Sequence, residues 1–368
     1  MTMEPVRIFL SGDVMTGRGI DQILAVPGDP VLYEAWVKSA IRYVELAEKR
    51  HGPIPRAVDP DYVWGDAIEE LEAADVAARI INLETAVTDR GEPWPAKGVH
   101  YRMHPRNVDV LEAAGIDCCI LANNHTLDWS YDGFSQTVDS LHHAGIATAG
   151  AGSDAEQARR PAVIETGTGS RVIVVAVGLG SSGVPPSWSA AASRPGVWLL
   201  SALDRDAVDA IGEQLSRTAR PGDIAVVSIH WGPNWGYAIP TEHKRFARAL
   251  IDETDVQVVH GHSSHHPLGI EVYRDRLILY GCGDLINDYE GIEGHDMYRP
   301  GLGMLYLVTL DANGLRDLEM VPMRLRRFRL ERVDAGEIKW LRHNLSRVSR
   351  EFGTEVKDHG DGRLHAVW

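Results

Sequence analysis

Six polar residues that can bind a metal ion follow short apolar runs spread along the chain. They are Asp13, Glu84, Asn124, His230, His262 and His265. Carboxylate, amide and imidazole groups together suit a hard or borderline divalent cation such as Mn, Zn, Fe, Mg or Ca. Six ligands exceed what one structural zinc ion needs, and they fit two metal ions that share a bridging carboxylate. Each residue alone also suits a helix cap, a turn or a buried histidine, so the prediction depends on the set.

The segments before these residues must position them. Apolar runs at 6–10, 80–81, 118–121, 224–229 and 256–259 predict strands, and amphipathic segments at 64–78, 134–144, 204–219, 243–254 and 337–352 predict helices. Strands that alternate with helices are typical of open α/β sheets, whose sites lie at the carboxyl ends of the strands. Because five predicted strands end in metal-binding residues, we expect these side chains to meet in one pocket.

Two histidines outside the ligand set are candidate acid–base groups. His125 is followed three residues later by Asp128, which can orient the imidazole, although a helix-capping role for Asp128 is equally consistent with the sequence. His295 lies in a loop-like segment, 288–300, where Gly291 and Gly294 would allow the loop to close over a site. A loop histidine is more often simply solvated, so its position alone is weak support. We predict His295, His125 and Asp13 as the catalytic groups.

Three further residues are candidates for substrate binding. Arg102 can hold a carboxylate through two hydrogen bonds. Trp231 and Trp235 follow His230 and can bind the apolar part of a peptide side chain. Ordinary core packing is the alternative for the tryptophans.

Composition excludes several classes of protein. The 368 residues carry 37 Lys and Arg against 52 Asp and Glu, a net charge of −15, which argues against a nucleic-acid partner. Three cysteines are too few for a disulfide framework. Neither a signal peptide nor an apolar run of membrane-spanning length is visible, so we expect a cytoplasmic protein without membrane association. The sequence leaves homo-oligomer formation open.

Five ordered motifs resemble one protein family. The strings are SGDVMTGRGID (11–21), INLETAVTDRG (81–91), LANNHTLDWSYDGF (121–134), SIHWG (228–232) and GHSSHHPLGIEVYRDRLILYGCGDLI (261–286). They are similar to the CapA family, the poly-γ-glutamate capsule synthesis group of the calcineurin-like metallophosphoesterase superfamily. The resemblance covers residues 6–288 and implies a four-layer α-β-β-α sandwich with a metal site where the two sheets meet. We assign residues 1–311 to this α/β domain and 312–368 to a strand-and-helix extension packed on it.

The resemblance also implies residue roles. Asp13 corresponds to the aspartate ligand of the first strand, and Glu84 to the metal-bridging carboxylate. The remaining ligands by this resemblance are Asn124, His230, His262 and His265, with His125 as the catalytic partner of Asn124. Met15 departs from the pattern, because many phosphoesterases have a ligand histidine there.

Four functions are compatible with these motifs. They are a metal-dependent phosphoesterase, a factor acting on poly-γ-glutamate, a peptide-binding module with a vestigial metal site, and a peptide epimerase. The poly-γ-glutamate role is typical of membrane-anchored proteins, and no anchor is visible here. The resemblance to soluble epimerases of lasso-peptide biosynthesis therefore favours inversion of an α-carbon in a ribosomal precursor peptide. Acid–base groups on two faces of the carbon and a divalent metal would suffice, without an organic cofactor.

Overall fold

The computed structural model describes residues 5–167 and 169–368. Its strands in chain order are β1 Val6–Val14, β2 Ala78–Leu83, β3 Ala86–Val87, β4 Arg102–Met103, β5 Cys118–Ile120, β6 Ala147–Ala149, β7 Ala151–Gly152, β8 Ala162–Glu165, β9 Arg171–Leu179, β10 Gly196–Val197, β11 Leu199–Leu200, β12 Ile224–His230, β13 Val258–His262, β14 Ile270–Tyr273, β15 Arg276–Leu279, β16 Asp284–Ile286, β17 Leu302–Asp311, β18 Gly314–Arg326, β19 Arg329–Arg332, β20 Glu355–Asp358 and β21 Leu364–Val367. Its α-helices are α1 Ile41–His51, α2 Ala67–Ala73, α3 Asp109–Ala113, α4 Ser130–His143, α5 Ala155–Arg159, α6 Arg205–Thr218, α7 Thr241–Glu253 and α8 Ala335–Ser349.

Most strands belong to two large sheets. The first sheet runs in the order β20-β21-β18-β17-β1-β2-β5-β6, with β16 beside β1 and β19 beside β18. Its strands β1, β2, β5 and β6 are parallel, whereas β17 and β18 form an antiparallel hairpin. The second sheet runs β11-β9-β12-β13-β15-β14, with β8 beside β9. Its neighbours β9, β12, β13 and β15 are parallel.

Side-chain alternation along the strands builds four layers. Ile8 and Leu10 of β1 pack between the two sheets with Val172 and Val174 of β9. Phe9, which points the other way, packs in a separate core with helices α1 to α4. On the far side of the second sheet, the intervening residues of β9 pack with α6 and α7. Successive side chains of a strand point to opposite faces of the sheet. A strand that is apolar throughout therefore needs another layer packed against each face of its sheet. The predicted four-layer α-β-β-α sandwich is confirmed.

Predicted and observed elements differ mainly at their ends. The first predicted strand stops at residue 10, because Ser11-Gly12-Asp13 is typical of a turn, but β1 continues to Val14. Asp13 stays in the strand because it pairs with Asn82 of β2 on one side and Asp284 of β16 on the other. The helix predicted at 64–78 is shorter, with α2 spanning Ala67–Ala73. Helix α6 begins as predicted, where the Asp204 carboxylate accepts the backbone N–H of Ala207.

The C-terminal part of the chain completes the first sheet. The predicted boundary between residues 311 and 312 lies in the turn of the β17–β18 hairpin, and β18 pairs in turn with β21. Helix α8 begins with a capping box formed by Asp334 and Glu337. Within the described ranges, every helix is too short or too polar to cross a lipid bilayer.

Candidate metal and acid–base site

The carboxyl ends of the parallel strands of both sheets meet at one edge of the sandwich. Asp13 lies near the end of β1, and His230 and His262 are the last residues of β12 and β13, paired in register. Glu84 directly follows β2, and Asn124 and His125 lie in the turn after β5. The parallel strand order thus brings residues distant in sequence to one place.

Two overlapping groups of side chains have the spacing of metal ligands. In each group the potential ligand atoms all lie within 4.8 Å of one another. The first group is Asp13, His230 and His262, and the second is Asp13, His265 and Asp284. All five side chains are buried. The Nδ1 atoms of His230 and His262 are 2.7 Å apart, and the His230 Nε2 atom is 3.1 Å from the Asn124 Oδ1 atom.

Two carboxylate oxygens at the centre need a positive charge. Asp13 Oδ2 and Glu84 Oε2 are buried and lack a hydrogen-bond donor in the part of the chain that the structure describes. Burial, together with the negative charge of Asp284, raises the pKa of Asp13 to about 7. Burial and the neighbouring Asp13 also raise the pKa of Glu84. Because buried like charges are costly unless a cation lies between them, these residues fit a divalent metal.

Two of the three candidate ligand histidines, His230 and His262, have the neutral state that metal ligands require. Burial lowers the pKa of His230 and of His262, so both imidazoles are neutral at pH 7. Their orientation is set by neighbours, since Ser228 Oγ lies 2.8 Å from His262 Nε2. His265 Nδ1 lies 2.8 Å from Asp284 Oδ1. For His265, burial opposes the charge of Asp284, and the net effect is a raised pKa. Hydrogen bonds of this kind to ligand histidines fix the ring and its tautomer.

His125 belongs to a triad with Asp128 and Lys97 beside the ligand cluster, and burial lowers the pKa of its imidazole to about 4, so the ring is neutral at pH 7. Its Nδ1 atom lies 2.6 Å from Asp128 Oδ2, so Asp128 contacts the imidazole as the sequence suggested. The Lys97 ammonium lies 2.7 Å from the other Asp128 oxygen. Burial would raise the pKa of Asp128, but His125 and Lys97 hold it below the ordinary value. His125 Nε2 points toward the cluster, 3.6 Å from Glu84 Oε1. This arrangement leaves Nε2 to exchange a proton with a bound molecule.

The side of the ligand cluster formed by Glu84, Asn124 and His265 opens, together with His125, into a cavity of about 520 Å³, in the size range of ligand sites. Glu84, His125 and His265 line its polar side. His295 lines it as well, with its imidazole stacked on the indole of Trp235 at 3.9 Å between ring centres and an angle of 4° between planes. The structure therefore brings two histidines that are outside the predicted ligand set into one cavity.

Two predicted substrate-binding residues lie elsewhere. Trp231 directly follows β12, so its side chain points to the face of the sheet opposite that of His230. There it is buried, stacks on His243 and donates its indole N–H to the Tyr280 carbonyl. The Arg102 guanidinium lies over the Trp129 ring, outside the cavity lining. Trp231 and Arg102 therefore lie outside the cavity, and Trp235 is the residue of the three that lines it. Substrate binding by these residues stays a prediction.

Asp284 and Lys97 are site residues that the sequence reasoning missed. Asp284 pairs directly with Asp13 across β16 and β1. The two strands can approach closely only because residue 12 is glycine, since a Cβ there would lie 1.7 Å from the Gly283 carbonyl oxygen. The pairs Gly12-Asp13 and Gly283-Asp284 were a usable signal, since each places an aspartate after a glycine at a strand end. Lys97 had no comparable signal, because it comes from a loop.

The chain belongs to the family described as "Bacterial capsule synthesis protein PGA_cap", which matches residues 7–289. This span contains the whole ligand cluster, His125 and the strands that carry them. The family assignment therefore confirms the predicted CapA resemblance.

Three curated relatives illustrate the range of the family. A probable polyglutamine synthesis accessory protein of Mycobacterium tuberculosis is 48% identical over 367 residues, which is 99% of this chain and 96% of that protein. The PGA biosynthesis protein CapA of Bacillus subtilis is 26% identical over 85% of this chain and 70% of its own length. The capsule biosynthesis protein CapA of Bacillus anthracis is 23% identical, with coverage of 77% and 64%. The first relative therefore matches almost end to end.

Proposed function

We propose that this chain is a metal-dependent enzyme that acts on a peptide-like polymer of glutamine or glutamate residues, as an accessory step in synthesis of that polymer. The main observation behind the proposal is that three of the candidate ligands, Glu84, Asn124 and His265, line the same cavity as the Asp128-oriented His125. The near full-length similarity to a probable polyglutamine synthesis accessory protein supports this substrate class. This similarity favours a role in polymer synthesis over modification of a lasso-type precursor peptide. None of the three relatives described above is named for such a peptide, and that role stays a prediction.

The residues divide the chemistry between them. The residues that would hold the metal are Asp13, Glu84, Asn124, His230, His262, His265 and Asp284. A bound divalent cation would polarise a carbonyl or phosphoryl oxygen. Asp128 accepts a hydrogen bond from His125 and fixes its ring. The neutral Nε2 atom of His125 then accepts a proton from the substrate or from an attacking water, and the same atom can return that proton to the leaving group.

A second candidate reaction is epimerisation of an α-carbon. Its supporting observation is His295, which lines the same cavity as His125 and is held by stacking on Trp235. One histidine would remove the Cα proton, and the other would return a proton to the opposite face of the carbon. Asp13 remains the third predicted acid–base group. Its carboxylate is also a candidate metal ligand, and a metal-bound carboxylate would not be free to carry a proton.

One assay distinguishes the candidate reactions. The protein, loaded with Mn²⁺, is incubated in deuterated water with capped hexaglutamine, with γ-linked hexaglutamate and with a generic phosphodiester. Shorter products indicate peptide cleavage, and gain of deuterium with recovery of a D-residue indicates epimerisation. Hydrolysis of the diester to a phosphomonoester and an alcohol, with both peptides unchanged, would refute the peptide-directed proposal. Binding without any turnover would instead identify a peptide-binding module.

Two histidine variants sharpen the result. His295→Asn should abolish deuterium exchange while the metal content stays unchanged, and His343→Asn, an exposed histidine on α8, should leave the rate intact. Equal exchange by His295→Asn and the unmodified protein would remove His295 from the mechanism.

A further inference from the structure

Exposed apolar side chains concentrate around the mouth of the cavity. Of the nine large hydrophobic residues that are exposed in the described chain, six lie in two segments, 31–41 and 289–300. Trp36 from the first segment and Ile292 from the second both line the cavity. Trp36 is 69% exposed and Met297 is 71% exposed. We call segments 31–41 and 289–300 the rim. Clustered exposed apolar residues beside a site mark a surface that another molecule covers.

The exposed charges of the rim cancel. Lys38 and Arg299 are positive, and Glu293 and Asp296 are negative. The Lys38 ammonium donates a hydrogen bond to the backbone carbonyl of Glu34, and the Arg299 guanidinium lies over the Trp340 ring. The rim therefore has no excess of positive charge that would attract a chain of carboxylates.

The two permanent cations that line the cavity already have carboxylate partners. Arg18 is buried, donates to Glu34 at 2.8 Å, and donates through its Nε atom to Asp288 at 2.7 Å. Lys97 contacts Asp128 at 2.7 Å. Two cations thus face three carboxylates, and neither cation can neutralise a further anion without leaving a buried charge unpaired.

The metal cluster does not reverse this balance. Three buried carboxylates, Asp13, Glu84 and Asp284, would offset most of the charge of any divalent ions that the cluster binds. A single substrate oxygen can be bound there, but the remaining residues of a polyanion would lie against paired cations and a neutral rim.

We infer that the rim and cavity bind an uncharged stretch of peptide, with amide-bearing or apolar side chains, and discriminate against a polyglutamate chain. The inference rests on the proposed function, which makes this cavity the active site, and it selects among the polymers that the proposal leaves open. The methylene groups of uncharged side chains pack on Trp36, Ile292 and Trp235, and the amides hydrogen-bond without a desolvated charge.

Binding of two matched peptides tests the inference. The metal-loaded protein is titrated with fluorescently labelled, capped hexaglutamine and hexaglutamate at low and high salt. We expect hexaglutamine to bind at least tenfold more tightly, with little dependence on salt. Hexaglutamate binding that equals or exceeds hexaglutamine binding, and strengthens as salt is lowered, would overturn the inference.

Three surface variants locate the contact. Trp36→Ala should weaken hexaglutamine binding at least fivefold, whereas Trp368→Ala, exposed beside β21 at the far edge of the first sheet, should have no effect. Ile292→Lys should strengthen hexaglutamate binding selectively, because it adds an unpaired cation at the cavity. Equal effects of Trp36→Ala and Trp368→Ala would overturn the assignment of the rim.

Two other occupants of the rim are outcomes of the same experiment. Co-sedimentation with vesicles of phosphatidylglycerol and phosphatidylcholine that Trp36→Ala abolishes would assign the rim to a lipid surface and overturn the inference. A dimer that Trp36→Ala dissociates would assign it to a second copy, with the same consequence. Trp36-dependent binding of hexaglutamine without turnover would refute the proposed function and leave this inference standing.

Discussion

Replacing Asp13 by Asn should stabilise the metal-free protein and abolish its stabilisation by metal. Asp13 is fully buried beside Asp284, and its ionised form is costly in the absence of a cation. Asn keeps the size of the side chain and can still accept the hydrogen bond from Asn82 Nδ2 to Oδ1, which is 2.7 Å long. Its new N–H group can donate to the unpaired Glu84 Oε2. The substitution therefore removes a charge without opening a cavity.

The pKa of Asp13 sets the magnitude. Burial and Asp284 raise that pKa from 3.8 to about 7. Because the folded state binds the proton more tightly than the unfolded chain, stability is lost as pH rises from about 4 to 7, by up to about 4 kcal/mol at about 1.4 kcal/mol per unit. Asn does not titrate, so the variant should avoid this loss. We expect a gain of about 2–4 kcal/mol at pH 8 in chelator, and almost no difference near pH 4.

Urea denaturation in EDTA, followed by circular dichroism at pH 4 and pH 8, measures the gain. When free Mn²⁺ reaches about a thousand times its Kd the order should reverse, because binding then adds about 4.1 kcal/mol to the unmodified protein alone. Asp128→Asn is the matched control. Its carboxylate is equally buried but is stabilised by His125 and Lys97, so that variant should lose about 3 kcal/mol at pH 8. Failure of Asp13→Asn to exceed the unmodified protein at pH 8 in EDTA would refute the reasoning.

Three further predictions concern the metal cluster and its surroundings. Asp284→Asn should lower the divalent metal retained per chain, measured by mass spectrometry, because it removes a ligand-spaced carboxylate and the partner of His265. His243→Phe should reduce acid sensitivity. Burial lowers the pKa of His243 to about 4, so the folded protein loses stability as pH falls from about 6.5 to 4, by about 3 kcal/mol in total, while Phe keeps the stack on Trp231. Arg18→Met should cost about 3–5 kcal/mol in urea denaturation, because it leaves two buried carboxylates unpaired.

Each of these three has a matched comparison. Asn287→Ala removes a hydrogen bond to Asp284 but no charge, and it should retain more metal than Asp284→Asn. His142→Phe on the exposed side of α4 should leave the acid dependence unchanged. Arg205→Met breaks an exposed pair with Asp209 and should change stability by less than about 1 kcal/mol. Equal effects within any of these comparisons would contradict the corresponding prediction.

The amino-acid sequence by itself predicted the order of strands and helices and most of the ligand types, whereas the four layers were predicted from the family resemblance. Apolar runs on both faces of β1, β9 and β12 require cover on both sides, and local helix patterns supply it, so the order of elements was readable without contacts. Asp13, His230 and His262 were recognisable because each closes a buried run, and a parallel sheet collects such ends at one edge. These signals are local in sequence, which is why they survive without coordinates.

Tertiary structure alone decided which side chains share the cavity. Trp231 and Trp235 are close in sequence, yet one is buried under α7 and the other holds His295, because strand alternation and the following turn set their directions. The pairing of Asp13 with Asp284 and of Lys97 with Asp128 joins segments that are far apart in the chain. The charge balance of a buried site is a sum over such neighbours, which only the folded chain brings together. Only the folded structure therefore shows that the carboxylates need a bound cation and that the cations lining the cavity are already paired.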